Sequence, residues 1–298
     1  MTIGPALTVI AGPTASGKSG LALKLALATG AELVGADSQQ VYRHFDVGTA
    51  KPGSAELAAV PHHVVSVVDP LEPFSAARYQ ELADAAIAAI HARGKRVIVV
   101  GGTGLYLRVL LHGVVAAVGS NLEVRARLEE HDAATLHARL ERVDPATAAR
   151  LPVGDRVRMI RALEIHELTG RSASEHRAEH AFAADRYPFK LWVLNPPREE
   201  LYRAINERTR RMFDGGLIDE VKALVARGFR AAAAMRSVGY VEALGVVEGR
   251  LTLQAAVDVA AQRTRHYAKR QLTWFKKEAG ARFLEPPWDV TALGADPL

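Results

Sequence analysis

The chain contains no cysteine. That excludes disulfides, a thiolate nucleophile and cysteine-ligated zinc. It also has no apolar run near the roughly 20 residues that a membrane-spanning helix needs, so no membrane partner is expected. No internal repeat or low-complexity tract is present; Ala231–Ala234 is too short to count. His62 and His63 lack further ligands at metal-binding spacing, so packing or capping explains them better. A strand-like run beginning at Leu7 leaves no room for a basic-then-apolar signal peptide. With cysteine absent as well, a cytoplasmic location is the expectation.

What is present fits a packed globular chain. Of 298 residues, 49% are hydrophobic and 24% charged, enough for one large domain or two ordinary ones. The net charge of +5 permits an anionic partner without demanding one. Its distribution is uneven. From Arg250 to Lys277 lie Arg250, Arg263, Arg265, Lys269, Arg270, Lys276 and Lys277, against one acid, Asp258. His266, Tyr267, Trp274 and Phe275 are interleaved with them. Such a mixture suits a nucleic-acid backbone and its bases, and equally a solvated helix face with its aromatics in the core.

Residues 12–19 read Gly-Pro-Thr-Ala-Ser-Gly-Lys-Ser, a full match to the phosphate-loop pattern. A short β-branched run, Ala6–Ala11, precedes it, and a strong helix former, Gly20–Ala28, follows. Strand, glycine loop and helix are the context the motif requires. Gly12 and Gly17 let the backbone turn its N–H groups toward an anion, and the helix N-terminus adds partial positive charge. Lys18 is expected to reach the terminal phosphates and the Ser19 hydroxyl to ligate Mg²⁺. The motif specifies a polyphosphate, not ATP hydrolysis.

Strand-like runs recur at Leu7–Ala11, Glu32–Ala36, His63–Val68, Arg96–Gly101 and Lys190–Leu194. Helical patterns lie between most of them, as at Ser75–Arg93, with Ser75 as N-cap and Gly94 as stop. The alternation predicts an α/β fold with a parallel sheet covered by helices on both faces. Ligands then bind beyond the carboxyl ends of the strands, at Gly12, Asp37, Asp69 and Gly101–Gly104. The alternation stops near Val118. From Asn121 to about Ala184 the pattern is helical and charged, with Asp144-Pro145 opening one helix and Asp155–Leu168 forming another before Gly170. This reads as an all-helical insertion, residues 119–185, in a phosphate-loop core of residues 1–118 and 186–298.

Four further segments carry candidate chemistry. Asp37-Ser38-Gln39-Gln40 follows the second strand. A carboxylate there could hold Mg²⁺ through water or act as a base, and Asp is equally a preferred capping residue. In the loop Gly48-Thr-Ala-Lys-Pro52, Lys51 reads as solvated more readily than as a phosphate contact, and Asp46 has no spacing that assigns it a role. In Gly101-Gly102-Thr103-Gly104 the glycines allow close approach to a ligand, or make a tight turn; only Thr103 has a side chain able to donate a hydrogen bond. Arg203, Arg208, Arg210 and Arg211 crowd one helix, and arginine is the natural clamp for a diphosphate.

Taken together, these motifs closely resemble the tRNA dimethylallyltransferases, also called tRNA isopentenyltransferases. Gly12–Ser19 matches that family's GPTASGK[ST]; Asp37–Tyr42 with Gly48–Pro52 matches DSxQxY and GTAKP. Pro61–His63, Gly101–Tyr106, Arg158–Glu164 and Ala268–Phe275 match PHH, GGTGLY, RxxRALE and AKRQxTWF. The ordered series covers residues 7 to 277. Two departures stand out: Val241 replaces the lysine of IGYKE, and Ala204 replaces an arginine common four residues before Arg208.

The resemblance implies a phosphate-loop NTPase-like fold. It also implies transfer of a dimethylallyl group from its diphosphate to N6 of the adenine beside the anticodon of tRNA, with release of diphosphate. It assigns the diphosphate to Gly12, Pro13, Thr14, Ala15, Ser16, Gly17, Lys18, Ser19 and Arg208, with Ser19 the Mg²⁺ ligand. Asp37 becomes the candidate base, with Thr103 and Lys18 assisting the leaving group. The tRNA anticodon stem-loop is assigned to Asp37, Ser38, Gln39, Gln40 and Thr103, to Arg125, Val157, Arg158, Met159, Ile160 and Arg161 of the insertion, and to Lys269 and Arg270. A monomer is expected.

Overall fold

In the computed structural model, residues 4–114, 119–180, 185–289 and 293 are described. Val118, where the sequence pattern changes, and Ala184 lie outside them. The chain divides into two compact units, residues 1–111 with 186–298, and residues 112–185.

The larger unit is built on six strands: β1 Leu7–Ala11, β2 Glu32–Gly35, β3 His62–His63, β4 Val97–Gly101, β5 Phe189–Leu194 and β6 Ala281–Leu284. All pair in parallel, in the order β3-β2-β4-β1-β5-β6. Leu7, Val9, Ile10 and Ala11 of β1 are fully buried, as a strand covered on both faces should be. Helix α1, Lys18–Thr29, follows the phosphate loop and ends at Gly30. It lays Leu21, Ala22, Leu25 and Ala26 against Ile10, Leu33, Ile98 and Leu194 of the sheet. A short α2, Ser54–Ala59, precedes β3. Helix α3, Ala76–Ala92, is capped by the Ser75 hydroxyl as its sequence predicts, and buries Tyr79, Ala83, Ile87 and Ile90. Helix α4, Gly104–His112, follows β4.

The smaller unit contains α5 Leu122–Glu129, α6 Ala133–Val143, α7 Pro145–Ala148, α8 Arg156–Thr169 and α9 Ala173–His180. Asn121, Asp132, Asp144 and Asp155 cap the first four through their side chains, and Pro145 stands at the first position of α7. Leu128, Leu136, Leu140, Met159 and Leu163 form its core.

After β5 come α10 Arg198–Met212, a π turn at Phe213–Leu217, α11 Ile218–Ala226, α12 Tyr240–Val247 and the long α13 Leu253–Phe275. Two strand expectations need correction. The third strand is confined to His62–His63, because Val64 and Ser66 adopt left-handed backbone, with φ of 59° and 55°, which no strand can continue. Residues 66–68 instead bond to Gln40 and Val41. β6 escapes the sequence pattern because it is a four-residue strand at the sheet edge with no buried residue to announce it.

One contact fixes the site's geometry. A Cβ built on Gly101 would lie 2.1 Å from the Ala36 carbonyl oxygen. Only glycine lets the ends of β2 and β4 meet this closely, and that carbonyl then accepts the Thr103 N–H at 3.1 Å. Gly101→Ala is therefore expected to destabilise the chain by about 2–3 kcal/mol or more in urea unfolding, because backbone must move. Gly20→Ala, in α1 with open space around it, should instead stabilise by up to about 1 kcal/mol.

Candidate active site

The phosphate loop is held from beneath. Gly12, Pro13 and Ser16 are buried. A Cβ on Gly12, whose φ is 150°, would meet the Ser16 hydroxyl and the Leu194 carbonyl near 3 Å. Ala15 and Gly17 take left-handed backbone, turning successive N–H groups to one side as an anion nest does. Pro13 has no N–H to offer; its carbonyl accepts from Lys18 Nζ at 3.1 Å. The loop is also tied to α13. Gln271 Oε1 accepts the Thr14 N–H at 2.8 Å while its Nε2 donates to the Gly102 carbonyl at 2.8 Å.

Two cavities, of about 300 and 330 Å³, adjoin at the loop and share Thr14, Ala15, Asp37, Thr49 and Arg208 as lining. The second cavity is lined by Gly17, Lys18 and Ser19, and by Ala204, Arg208 and Arg211 of α10. Those three α10 positions fall at i, i+4 and i+7, one face of the helix. The first has Ser38, Gln39 and Tyr267 on one side, and Ile205, Met212, Phe213, Leu217 and Ala260 as apolar wall.

The electrostatics favour an anion. The Arg208 guanidinium donates to Thr14 Oγ1 at 3.0 Å and forms no ion pair with a described carboxylate. Burial lowers its affinity for its proton, against the pull of Asp37. Lys18 is pushed down to about 8, by burial first and by the Arg208 charge second, with Asp37 opposing. Three cations, Lys18, Arg208 and Arg211, line a cavity that has two carboxylates, Asp37 and Glu56, which leaves net positive charge for a ligand to neutralise.

Asp37 follows β2. Its Oδ1 accepts the N–H groups of Gln39 at 2.8 Å and Gln40 at 3.3 Å, so it closes an Asx turn and also faces both cavities. Thr103 Oγ1 accepts the Ser38 N–H at 3.0 Å. The Tyr267 hydroxyl lies within hydrogen-bonding reach of Thr103, and burial pushes that phenol up to about 12. Asp37, Ser38, Gln39 and Thr103 thus come together. The Ser16 hydroxyl and Gln39 Oε1 are buried without a partner.

Several expectations are revised. Gln40 does not turn its amide nitrogen outward; it donates to the carbonyls of Thr49 and Ala50, each at 3.0 Å. The Lys51 side chain is only 6% exposed rather than solvated, bonding to Asp46 at 2.7 Å and to the Tyr42 carbonyl. The glycines around Thr103 admit protein rather than ligand: a Cβ on Gly102 would meet Gln271, and one on Gly104 would meet Trp274, both at 2.4 Å. In the smaller unit, Met159 and Ile160 belong to the core, and burial takes them from any nucleic-acid surface. Val157 is 81% exposed and Arg158 pairs with Asp155. Arg125 and Arg161 both bind the fully buried Glu164, which also accepts the Asn121 N–H, and this holds the carboxylate's pKa down against its burial. Lys269 and Arg270 are exposed on α13. Tyr267 is visible in the sequence only as one of the aromatics in a basic stretch, Gln271 only as part of the Ala268–Phe275 motif, and Arg211 only as one of four arginines on a helix. Their spacing on helices, against a loop 200 residues away, gave no signal of their target.

The family model described as IPP transferase matches residues 40–278. The tRNA dimethylallyltransferase of Myxococcus xanthus (strain DK1622) is 63% identical over 290 residues, covering 96% of this chain and 94% of the relative. That of Geobacter sulfurreducens is 47% identical over 292 residues, covering 96% and 94%. Among solved structures, the tRNA delta(2)-isopentenylpyrophosphate transferase of Staphylococcus epidermidis superposes with a TM-score of 0.72 at 34% identity, covering 98% of this chain and 97% of that one. A eukaryotic dimethylallyltransferase acting on tRNA gives 0.82 at 30% identity, covering 95% of this chain and 74% of that one. The phosphate loop, the Asp37 turn and the α13 strut are thus those of a chain that belongs to the IPP transferase family.

Proposed function

We propose that the chain is a tRNA dimethylallyltransferase. It moves the dimethylallyl group of dimethylallyl diphosphate to N6 of the adenine beside the tRNA anticodon, position 37, and releases diphosphate. One observation carries this reading within the chain. Lys18, Arg208 and Asp37 line adjoining cavities, and one of these has the apolar wall that a prenyl group needs.

In the reaction, the C1–O bond of the donor breaks and its electron pair leaves with the diphosphate. The adenine N6 lone pair forms the new bond to C1. Lys18, Arg208 and the amides of residues 15 and 17–19 stabilise the charge growing on the leaving group. Thr103, whose oxygen already accepts from Ser38, turns its hydroxyl proton from Tyr267 to the bridging oxygen. Asp37 takes the N6 proton through Oδ2, since Oδ1 is engaged by two backbone N–H groups. Ser19 lines the same cavity as Asp37, and its hydroxyl oxygen would hold Mg²⁺, with Asp37 reaching the ion only through water. When bound, that ion supplies further charge neutralisation. The exposed Lys269 and Arg270, with Val157, Arg158, Arg125 and Arg161, are the tRNA contacts this reading retains.

Incubation with labelled dimethylallyl diphosphate and tRNA, AMP or ATP tests it. Label should pass to tRNA alone, with diphosphate released. Labelling of AMP, or ATP turnover without tRNA, overturns the assignment. Asp37→Asn should lower kcat by at least about 10²-fold with tRNA binding retained.

Lys18 gives the donor affinity a pH signature. Its ammonium is present below about pH 8 and lost above it. Calorimetric Kd for the donor should therefore weaken from pH 7.5 to 9.5, approaching about tenfold per unit, and Lys18→Met should flatten the profile. The same shift lies below the ordinary value of 10.5, so the charged form costs folding stability. That cost is complete below about pH 8 and fades toward 10.5. Lys18→Met should raise Tm at pH 7, with the gain vanishing near pH 10.5.

A further inference from the structure

The loop Asp46–Lys51 lines the site through Gly48, Thr49 and Ala50 and supplies no charged group to it. It is gripped from outside by two residues the reaction does not use. Glu220, at the start of α11, accepts the Val47 N–H at 2.7 Å and the Asp46 N–H at 3.2 Å through Oε2, and the Tyr240 hydroxyl through Oε1. Tyr240 opens α12 and is fully buried. Its hydroxyl oxygen accepts the Gly48 N–H at 3.2 Å. A Cβ on Gly48 would lie 2.4 Å from the Tyr240 ring, and the Phe45 ring stands 4.9 Å away on centroids. The loop therefore lies flat on a phenol whose orientation is set by a carboxylate.

The inner side of the same loop holds the catalytic turn. The carbonyls of Thr49 and Ala50 accept both protons' worth of donation from Gln40 Nε2. The Gln40 N–H in turn bonds to Asp37 Oδ1. Hydrogen bonds joined through the Gly48–Ala50 backbone and the Gln40 residue itself thus connect α11 and α12 to the carboxylate of Asp37.

We propose that Glu220 and Tyr240 are positioning residues for Asp37. They fix the Asp46–Lys51 loop, and through Gln40 they aim the carboxylate at the shared edge of the two cavities. The inference rests on the transferase reading above. A neutral glutamine at 220 keeps the size and one acceptor but cannot take three N–H and O–H donors at once. A phenylalanine at 240 keeps the ring and loses both hydroxyl bonds.

Misplacement of a base by a fraction of an ångström lowers the rate without disturbing the diphosphate contacts. Glu220→Gln and Tyr240→Phe should each lower single-turnover prenyl transfer by about tenfold or more. Donor KM should stay within about threefold, and far-UV circular dichroism should be native-like. The discriminating measurement is the double variant. If Glu220 acts through Asp37, Asp37→Asn/Glu220→Gln should be no slower than Asp37→Asn alone, and likewise for Tyr240→Phe. Additive losses, or a rise in donor KM matching the fall in rate, would overturn the proposal. So would native-like variants with unchanged transfer. If Glu220→Gln does not fold, the Tyr240→Phe cycle decides alone. Absence of prenyl transfer by the unaltered chain is a separate result, which removes the transferase reading and the positioning role with it.

Discussion

Unpaired positive charge is the constraint around which this fold is arranged. Lys18 and Arg208 face one cavity, lined also by Glu56, and repel each other, with Asp37 offsetting both. Burying charge without a partner is unfavourable, so the surroundings must hold both side chains in place. They do so with neutral groups: the Pro13 carbonyl for Lys18, the Thr14 hydroxyl for Arg208. Neither neutral partner cancels the charge. Each sets a direction and leaves the electrostatic demand open for an anion. The fully buried β1 beneath the loop, with α1 packed on it, provides the rigid base against which this strain is borne.

The second constraint is distance. The phosphate loop, the Asp37 turn and Thr103 follow three different strands, and a sheet alone would keep them a strand spacing apart. Gly101 removes the side chain that would separate β4 from Ala36, and the Thr103 N–H then closes on the Ala36 carbonyl. Gln271 spans the remaining gap with one amide, accepting from Thr14 and donating to Gly102. The motif around Gln271 therefore does two things on two faces of α13. Gln271 and Phe275 point inward and are buried, while Lys269 and Arg270 stay exposed.

The alternation of strands and helices is legible because it follows hydrophobic period, and the caps at Ser75, Asp144 and Asp155 are legible because their chemistry is local. What escapes is anything decided by contacts far along the chain. Val64 and Ser66 look like strand residues until tertiary bonds to Gln40 and Val41 turn them aside. Met159 and Ile160 sit in a motif full of arginines, and only the packing of α8 on its neighbours shows that they face inward. Gln40 carries a motif position that suggests base reading, and the Thr49 and Ala50 carbonyls that occupy its nitrogen lie on a loop with no pattern of its own. Lys51 and Asp46 are similar: they pair across a turn that sequence spacing does not reveal. Charge count and glycine spacing located the anion site, whereas the partners of each polar group required the fold.

The helix that carries Arg208 shows how such a site tolerates change. Ala204 stands where an arginine is common in the family it resembles, and it opens onto the cavity. A lost cation there would weaken the field on a diphosphate. Arg211, two helical turns along from Ala204 and on the same face, also lines that cavity, and its charge is one of those lowering the proton affinity of Arg208. The positive field at the loop is thus a property of the α10 face as a whole rather than of any one position. A guanidinium on a long side chain can act from either turn, because an anion responds to the summed potential and not to the address of the charge. Asp37 has no such freedom. In the proposed reaction a proton must be taken at one atom and in one direction, and the Asp37 turn is held by Gln39, Gln40 and the loop behind them.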